Sequence, residues 1–270
     1  MKPGQLLIFL WLTTGACLAA FDYPATSAGN ASLANSTLAA GGLPEASWLN
    51  PALGLAVNHW YATLSYSRLF NLSELTYASG FAGWRKGGQA YGLGLSSFGG
   101  SNYRETQVRL LAARALLADR LWLGMALNGF FIRATGYSLN PAWGLDIGFR
   151  YRLHPQWSLA STLENFNAPK INGYGEEVPQ RLRLGVAYRP VPAAVVHLAV
   201  EKDRFYDPLV LLGVSYRLSA WLELASGFTS NSDFPSAGLF LNTGSVNIQY
   251  GIQSHFDLGV THFFQISFSH

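Results

Sequence analysis

The sequence predicts an all-β fold, a closed antiparallel transmembrane barrel of about 14 strands. Three observations predict it. Charged residues make up 12% of the 270-residue chain and aromatic residues 14%, whereas soluble domains carry about 25% charge. Apolar and polar residues alternate from about residue 55 onward, as they do when successive side chains point to opposite faces of a strand. The face opposite the apolar one is mostly Gly, Ala, Ser and Thr with a few charges of both signs.

The composition also excludes two classes of protein. A chain this apolar has ample surface to bury, which excludes intrinsic disorder. The net charge is only +3, and no basic run is present that could follow a phosphate backbone, which excludes nucleic-acid binding.

Residues 1–20 have the pattern of a signal peptide, with Lys2 before an apolar centre at 6–12 and small residues up to Ala20. This predicts export and location in a Gram-negative-type cell outer membrane. An uncleaved anchor is the alternative, although the apolar centre is shorter than the ~20 residues of a spanning helix. The single cysteine, Cys17, is a further candidate for lipidation, but Thr14-Gly15-Ala16 lacks the aliphatic residue that starts a lipobox.

The remainder divides into residues 21–54, rich in Ala, Ser, Asn and Gly, and a barrel over residues 55–270. In residues 145–153, for example, Leu, Ile, Phe, Tyr and Leu alternate with Asp, Gly, Arg and Arg. Turn-forming residues separate such segments. The predicted strands are 55–68, 74–85, 88–98, 103–116, 121–133, 143–154, 157–167, 179–190, 194–204, 208–218, 221–230, 235–243, 245–254 and 258–269.

The mixed face indicates a lumen rather than a water-exposed surface. A soluble β-sandwich, the alternative fold, would place many lysines there, and the whole chain has four. Tyrosines on the apolar face fit an interfacial girdle; they are Tyr66, Tyr91, Tyr151, Tyr188, Tyr216 and Tyr250. The predicted lumen charge network is Glu105, Arg109, Asp146, Arg150, Arg152, Glu164, Arg181, Arg183, Glu201, Arg217 and Glu223.

Two end segments carry a family resemblance. Residues 46–52 read Ala-Ser-Trp-Leu-Asn-Pro-Ala, and residues 250–262 contain Tyr-Gly-Ile followed by Leu-Gly-Val-Thr-His. In both segments the chain resembles outer-membrane barrels of the PorV/PorQ group, which are related in fold to the fatty-acid transporter FadL. The resemblance implies a 14-stranded barrel with its N-terminal segment folded into the lumen as a plug. It also implies a role in type IX secretion and attachment of surface cargo.

Three functions remain open at this point. The first is an accessory barrel for secretion or surface assembly that binds secretion-system proteins. The second is passive transport of small hydrophobic molecules, for which Trp48, Asn50 and Pro51 are the plug or gate candidates. The third is an outer-membrane enzyme, for which the chain offers no catalytic motif. The six histidines are scattered, so no metal site and no cofactor is predicted.

The lumen charges have two interpretations. Interior Arg–Glu pairs can tie together a narrow barrel, or they can bind a substrate. We favour the structural interpretation. It predicts that charge reversal at Glu164 or Glu223 impairs assembly more than selectivity.

Overall fold

The structure, a computed structural model, describes residues 20–56, 59–137, 140–172, 177–231 and 235–270. The predicted signal peptide over residues 1–20, with Cys17, lies outside these ranges except for Ala20. Cleavage and lipidation therefore stay predictions.

Fourteen antiparallel strands form one closed barrel, because each strand pairs with its sequence neighbours and the first pairs with the last. This confirms the predicted fold class. The strands are β1 (Trp60–Arg68), β2 (Thr76–Lys86), β3 (Gln89–Gly99), β4 (Tyr103–Leu116), β5 (Leu121–Ala134), β6 (Ala142–His154), β7 (Trp157–Glu164), β8 (Arg181–Val191), β9 (Ala194–Asp203), β10 (Leu209–Arg217), β11 (Leu222–Thr229), β12 (Ser236–Asn242), β13 (Val246–His255) and β14 (Gly259–Ser269).

Helical structure is confined to short pieces. The α-helix α1 covers Ala28–Ser32, and 3₁₀ turns cover Thr37–Ala39, Pro44–Trp48, Pro51–Ala56, Leu69–Asn71 and Ser73–Leu75. In the part of the chain that the structure describes, no helix is both long and apolar enough to cross a membrane.

Two predicted strand ends were wrong by several residues. The first strand begins at Trp60 rather than residue 55, because Pro51–Ala56 forms a 3₁₀ turn. The seventh ends at Glu164 rather than 167, since Asn165 adopts a left-handed backbone with φ 51°. The barrel therefore starts later than the predicted boundary at 54/55.

The barrel faces divide as the alternation predicts. On β5, Leu123 and Met125 are 43% and 59% exposed, whereas Trp122, Ala126 and Asn128, at the alternate positions, are buried. The six predicted girdle tyrosines all lie at outward positions, alternating with buried neighbours. The outer face is thus an apolar surface with aromatic residues, as in barrels that sit in lipid.

The two rims of the barrel differ in their connections. At one rim, which we call the turn end, the connections are residues 87–88, 117–120, 155–156, 192–193, 218–221 and 243–245. At the other, the loop end, they are 69–75, 100–102, 135–141, 165–180, 204–208, 230–235 and 256–258. Bacterial outer-membrane barrels place short turns at the periplasm and longer loops outside the cell.

Residues 20–56, which we call the inner segment, are mostly buried and contact the inward faces of strands around the barrel. Interior glycines make this possible, because a Cβ at each would lie closer than 3.0 Å to an inner-segment atom. They are Gly94, Gly124, Gly148, Gly185, Gly213, Gly227, Gly238 and Gly251. The small inward residues noted in the sequence therefore leave room for chain rather than for an open channel.

Candidate functional site

Asn50 fastens the inner segment to the barrel wall. Its side-chain amide Nδ2 donates to the carbonyl oxygens of Leu38 and of Phe149 in β6, both at 3.0 Å. Its Oδ1 accepts from the backbone N of Ala52 at 3.0 Å. Asn50 is fully buried, where a lost hydrogen bond would leave unpaired polar groups. One side chain thus holds two stretches of the inner segment and a strand together.

Two glycines of the barrel wall leave space for this anchor. A Cβ on Gly124 would lie 2.2 Å from the Ala52 backbone N, and one on Gly148 would lie 2.3 Å from Asn50 Oδ1. Any side chain at Gly124 would meet backbone, which cannot rotate away. The turn beginning at Pro51 therefore requires glycine on the facing strand.

Trp48 packs beside this anchor against the neighbouring strands β2 to β4. It is 5% exposed, and its ring meets that of Phe81 edge-on with centroids 5.7 Å apart. The Arg109 guanidinium carbon lies 5.9 Å from the ring centroid, within reach of a cation–π contact. The three predicted gate residues are thus buried in one anchor between the inner segment and strands β2 to β6; their role as a gate stays a prediction.

The first half of the loop-end charge cluster joins β4 to β6. Arg109 Nη1 pairs with Asp146 Oδ2 and also donates to Asn128 Oδ1 at 3.0 Å. Both charged side chains are 2% exposed. Asn128 Nδ2 donates to the same Asp146 oxygen at 2.9 Å. Glu105, nearer the loop end, accepts from the backbone N of Phe21 at 2.7 Å and so ties down the start of the inner segment.

The second half centres on two arginines of β8. Arg183 pairs with Glu164 through Nη1 and with Glu201 through Nε. Arg181 pairs with Asp22 of the inner segment through Nη2, while its Nε lies 3.5 Å from Asp203 Oδ2. The alternation indicates that inward arginines pair with acids, and such pairs are present at the loop end.

Four of the predicted lumen charges lie elsewhere, near the turn end. Arg150 and Arg152 make no ion pair with a carboxylate among the described residues, so the expectation that lumen arginines pair with acids is wrong for them. The Arg217 side chain is 60% exposed, and its Nε lies 3.9 Å from Glu223 Oε2. Arg152, Arg217 and Glu223 lie close to the rim, whereas Arg150 is buried just inside it.

Sequence reasoning missed several members of the site. Asp203 stands two residues after Glu201 on the same face of β9, so the alternation could have identified it. Asn128 is likewise an inward polar residue of β5. Asp22 and Glu45 lie in the inner segment, which forms no strand, so apolar/polar alternation cannot predict which residues they face.

Glu45 is a fully buried acid of the inner segment. Burial raises the pKa of its carboxyl, and the facing Gln249 and Gln265 amides partly oppose this. A raised pKa favours the neutral form, which can remain inside the barrel without a counter-ion.

Charge reversal should have different effects at Glu164 and Glu223, although the sequence predicts impaired assembly for both. We expect Glu164→Arg to lower the fraction of folded barrel, because Glu164 pairs with buried Arg183. Glu223→Arg should fold nearly as the wild type, since its 3.9 Å pair stands at the rim and exposed pairs contribute only ~0–1 kcal/mol. The shift of unboiled protein on a heat-modifiability gel measures the folded fraction. Equal loss in both variants would contradict this assignment.

A cavity of about 540 Å³ opens beside the charge cluster at the loop end. Its apolar lining includes Tyr23, Phe70, Leu209, Leu211 and Phe256. Its charged lining is Asp22, Arg181, Arg183, Glu201, Asp203 and Asp207. A smaller cavity of about 70 Å³ between Trp48, Arg109 and Arg183 shares the two arginines of β8 with it.

The closed 14-stranded barrel and its apolar outer face define the class: an outer-membrane-type β-barrel. Solved structures agree on the fold. The chain is similar to the Ralstonia pickettii toluene transporter TbuX, with TM-score 0.63 and 12% identity over 90% of this chain and 96% of that one.

Two further structures extend the comparison. The Pseudomonas putida toluene transporter TodX gives TM-score 0.58 and 10% identity over 90% of this chain and 94% of that chain. The Acinetobacter baumannii outer membrane protein Omp33 gives TM-score 0.53 and 8% identity over 78% of this chain and 98% of that chain. At such identities the likeness establishes the fold alone.

Comparison at the level of sequence adds no family. No protein-family model matches the chain, and no curated protein matches it. The FadL-like part of the resemblance noted in the sequence is supported by the solved structures, whereas membership of the PorV/PorQ group is not shown.

Proposed function

We propose that the protein is a passive outer-membrane transporter for small, neutral hydrophobic molecules. The observation that carries this is a partly apolar cavity of about 540 Å³ at the loop end of a FadL-like barrel. The two toluene transporters with which the chain shares its fold support the same substrate class.

The size of the loop-end cavity fits such a substrate. An apolar cavity of about 150 Å³ is enough to bind benzene. The loop-end cavity is therefore roomy enough for a monoaromatic molecule or a larger one. Ligand sites of this kind combine apolar walls with a few polar groups that orient the ligand.

The charge of the loop-end cavity favours neutral over anionic substrates. Four carboxylates line it, those of Asp22, Glu201, Asp203 and Asp207, against the two guanidiniums of Arg181 and Arg183. A negative surplus in a confined site repels anions. An apolar acid should accordingly enter less well than a neutral molecule of the same size.

The inner segment is the proposed gate. It fills the lumen between the cavity and the turn end, and its anchor at Asn50 depends on three hydrogen bonds. A displacement of this segment would connect the loop-end cavity with the turn end. Such motions of packed segments occur on microsecond to second timescales.

Filling the loop-end cavity should abolish transport. Thr229 lines it from β11, and we expect Thr229→Trp to reduce uptake of the neutral dye N-phenyl-1-naphthylamine to the level of cells without the barrel. The measurement is dye fluorescence in cells that carry equal amounts of folded barrel. The matched control is Phe228→Trp on the outward face of the same strand, where the side chain is 45% exposed.

Three results would contradict the proposal. The first is a wild-type barrel that does not accelerate dye entry. The second is a Thr229→Trp variant as active as wild type. Either result contradicts transport through this cavity. An anionic naphthalene sulfonate dye that enters as fast as the neutral dye contradicts the charge selectivity.

The structure favours transport over a secretion role. The longest connection at the loop end is residues 165–180, and most others have seven residues or fewer. Such short loops give little area against the ~800 Å² per partner of a stable protein interface.

A further inference from the structure

A cavity of about 340 Å³ at the turn end has four arginines among its seven lining residues. Its lining is Arg120, Arg150, Arg152, Leu153, His154, Pro155 and Arg189. No carboxylate belongs to this set, although the three inward arginines of the loop-end charge cluster, Arg109, Arg181 and Arg183, are each paired with an acid. The turn-end cavity is distinct from the proposed substrate cavity, which lies at the other rim.

Arg150 is the buried member of this group, with 7% of its surface exposed. Its Nε donates to the Ala39 carbonyl at 2.8 Å and its Nη2 to Ser158 Oγ at 2.9 Å, both neutral acceptors. The guanidinium carbon lies 4.4 Å from the centroid of the Trp122 ring. These contacts orient the guanidinium but leave its charge without a counter-ion, which is costly for a buried charge.

The carboxylate of Asp119, the acid nearest to these arginines, is bonded to other side chains. Asp119 Oδ1 accepts from Arg85 Nη2 at 3.2 Å and from Trp122 Nε1 at 2.8 Å. Arg152 reaches only the Asp119 backbone carbonyl, at 3.4 Å. Within the described ranges, the side chains of Arg120 and Arg189 make no ion pair and no hydrogen bond. Four guanidiniums therefore share one cavity without compensation.

We propose that this cavity is a binding site for an oxyanion, the phosphate or carboxylate group of a soluble molecule. Guanidinium presents a planar fork of donors that matches both groups, and such charge-assisted bonds are about twice as strong as neutral ones. Arg150, Arg152 and Arg189 are at inward positions of their strands. The site consequently faces the lumen mouth rather than the lipid.

The charge distribution along the lumen indicates the side from which the anion arrives. Among the described lumen-facing residues near the loop end, seven carboxylates (Asp22, Glu105, Asp146, Glu164, Glu201, Asp203, Asp207) face three guanidiniums (Arg109, Arg181, Arg183). Near the turn end, six guanidiniums (Arg85, Arg120, Arg150, Arg152, Arg189, Arg217) face three acids (Glu45, Asp119, Glu223). An anion is repelled at the first rim and attracted at the second, so it enters from the turn end.

Titration calorimetry with inorganic pyrophosphate tests the site on the full-length folded barrel in non-ionic detergent. We expect saturable binding that weakens as salt rises. The double variant Arg120→Gln/Arg189→Gln should lose about tenfold or more in affinity. Both substituted residues are exposed, and among the described residues their side chains make no hydrogen bond or ion pair, so folding should be retained, which heat-modifiability gels check. Arg114→Gln, on the outward face near the same rim, should bind as wild type.

The outcomes are separable from those for transport, because binding is measured at equilibrium without any uptake. Absence of saturable binding to wild-type protein, or equal affinity of the double variant, overturns the site. The same titration is repeated in phosphatidylcholine vesicles with and without phosphatidylglycerol. Loss of pyrophosphate binding when phosphatidylglycerol is present would assign the arginines to a lipid headgroup and overturn the soluble ligand.

Discussion

Replacing Gly124 with valine is expected to displace the inner segment and increase ion conductance through the barrel. The new Cβ would lie 2.2 Å from the Ala52 backbone N and 2.3 Å from the Pro51 carbonyl carbon. Overpacking of this kind costs about 1–3 kcal/mol, and each 1.4 kcal/mol is a tenfold change in population. Single-channel recordings in planar bilayers should therefore show open events at roughly ten times the wild-type frequency or more.

The matched control is Gly129→Ala on the outward face of the same strand. Its Cβ would contact only the side chains of Trp143 and Phe131, at 3.0 and 3.1 Å. Conductance like that of wild type is expected there. If Gly124→Val folds but stays as closed as the control, the inner segment does not close the passage.

Replacing Arg109 with leucine is expected to destabilise the folded barrel by about 3–5 kcal/mol, the usual cost of removing one partner of a buried ion pair. The change leaves the Asp146 carboxylate, 2% exposed, with neutral partners. It also removes the cation above the Trp48 ring. Urea unfolding in lipid vesicles, followed by tryptophan fluorescence, measures the change in free energy.

Two further variants complete this experiment. Arg114→Leu removes an outward arginine of the same strand and should leave stability nearly unchanged. Arg109→Leu/Asp146→Leu removes both charges and should recover much of the loss, since an apolar pair of similar size is often as stable as a buried ion pair. A single variant no less stable than Arg114→Leu would contradict a structural role for the pair.

Most strand bounds could be predicted from the sequence pattern. From β2 to β14 the predicted bounds fall within two residues of those observed, apart from the C-terminal end of β7. Alternation depends on the pleat alone, which is a local property. The two large errors lie at residues 55 and 167: the 3₁₀ turn that begins at Pro51 delays the start of β1, and the left-handed Asn165 ends β7 early.

The site was predictable only in part. The inward position of the lumen charges followed from their parity within each strand, and the outward position of Tyr250 followed in the same way. Their partners did not. The tyrosine hydroxyl lies 2.7 Å from His262 Nδ1 across the β13–β14 pair, and such pairings depend on register, which one strand alone does not specify.

The sequence by itself determined the barrel, its lipid-facing surface and the inward turn of its sparse charge, because strand period and composition are local and additive. The tertiary structure alone decided how that charge is divided. The register of the antiparallel pairs places Arg183 of β8 opposite Glu201 of β9 and two residues from Arg181, the partner of Glu164 on β7, and so brings Arg183 to Glu164 and Glu201. It leaves Arg120, Arg150, Arg152 and Arg189 together at the turn end without an acid. Coulombic interaction depends on distance in space, and that distance is set by strand pairing and register rather than by separation along the chain.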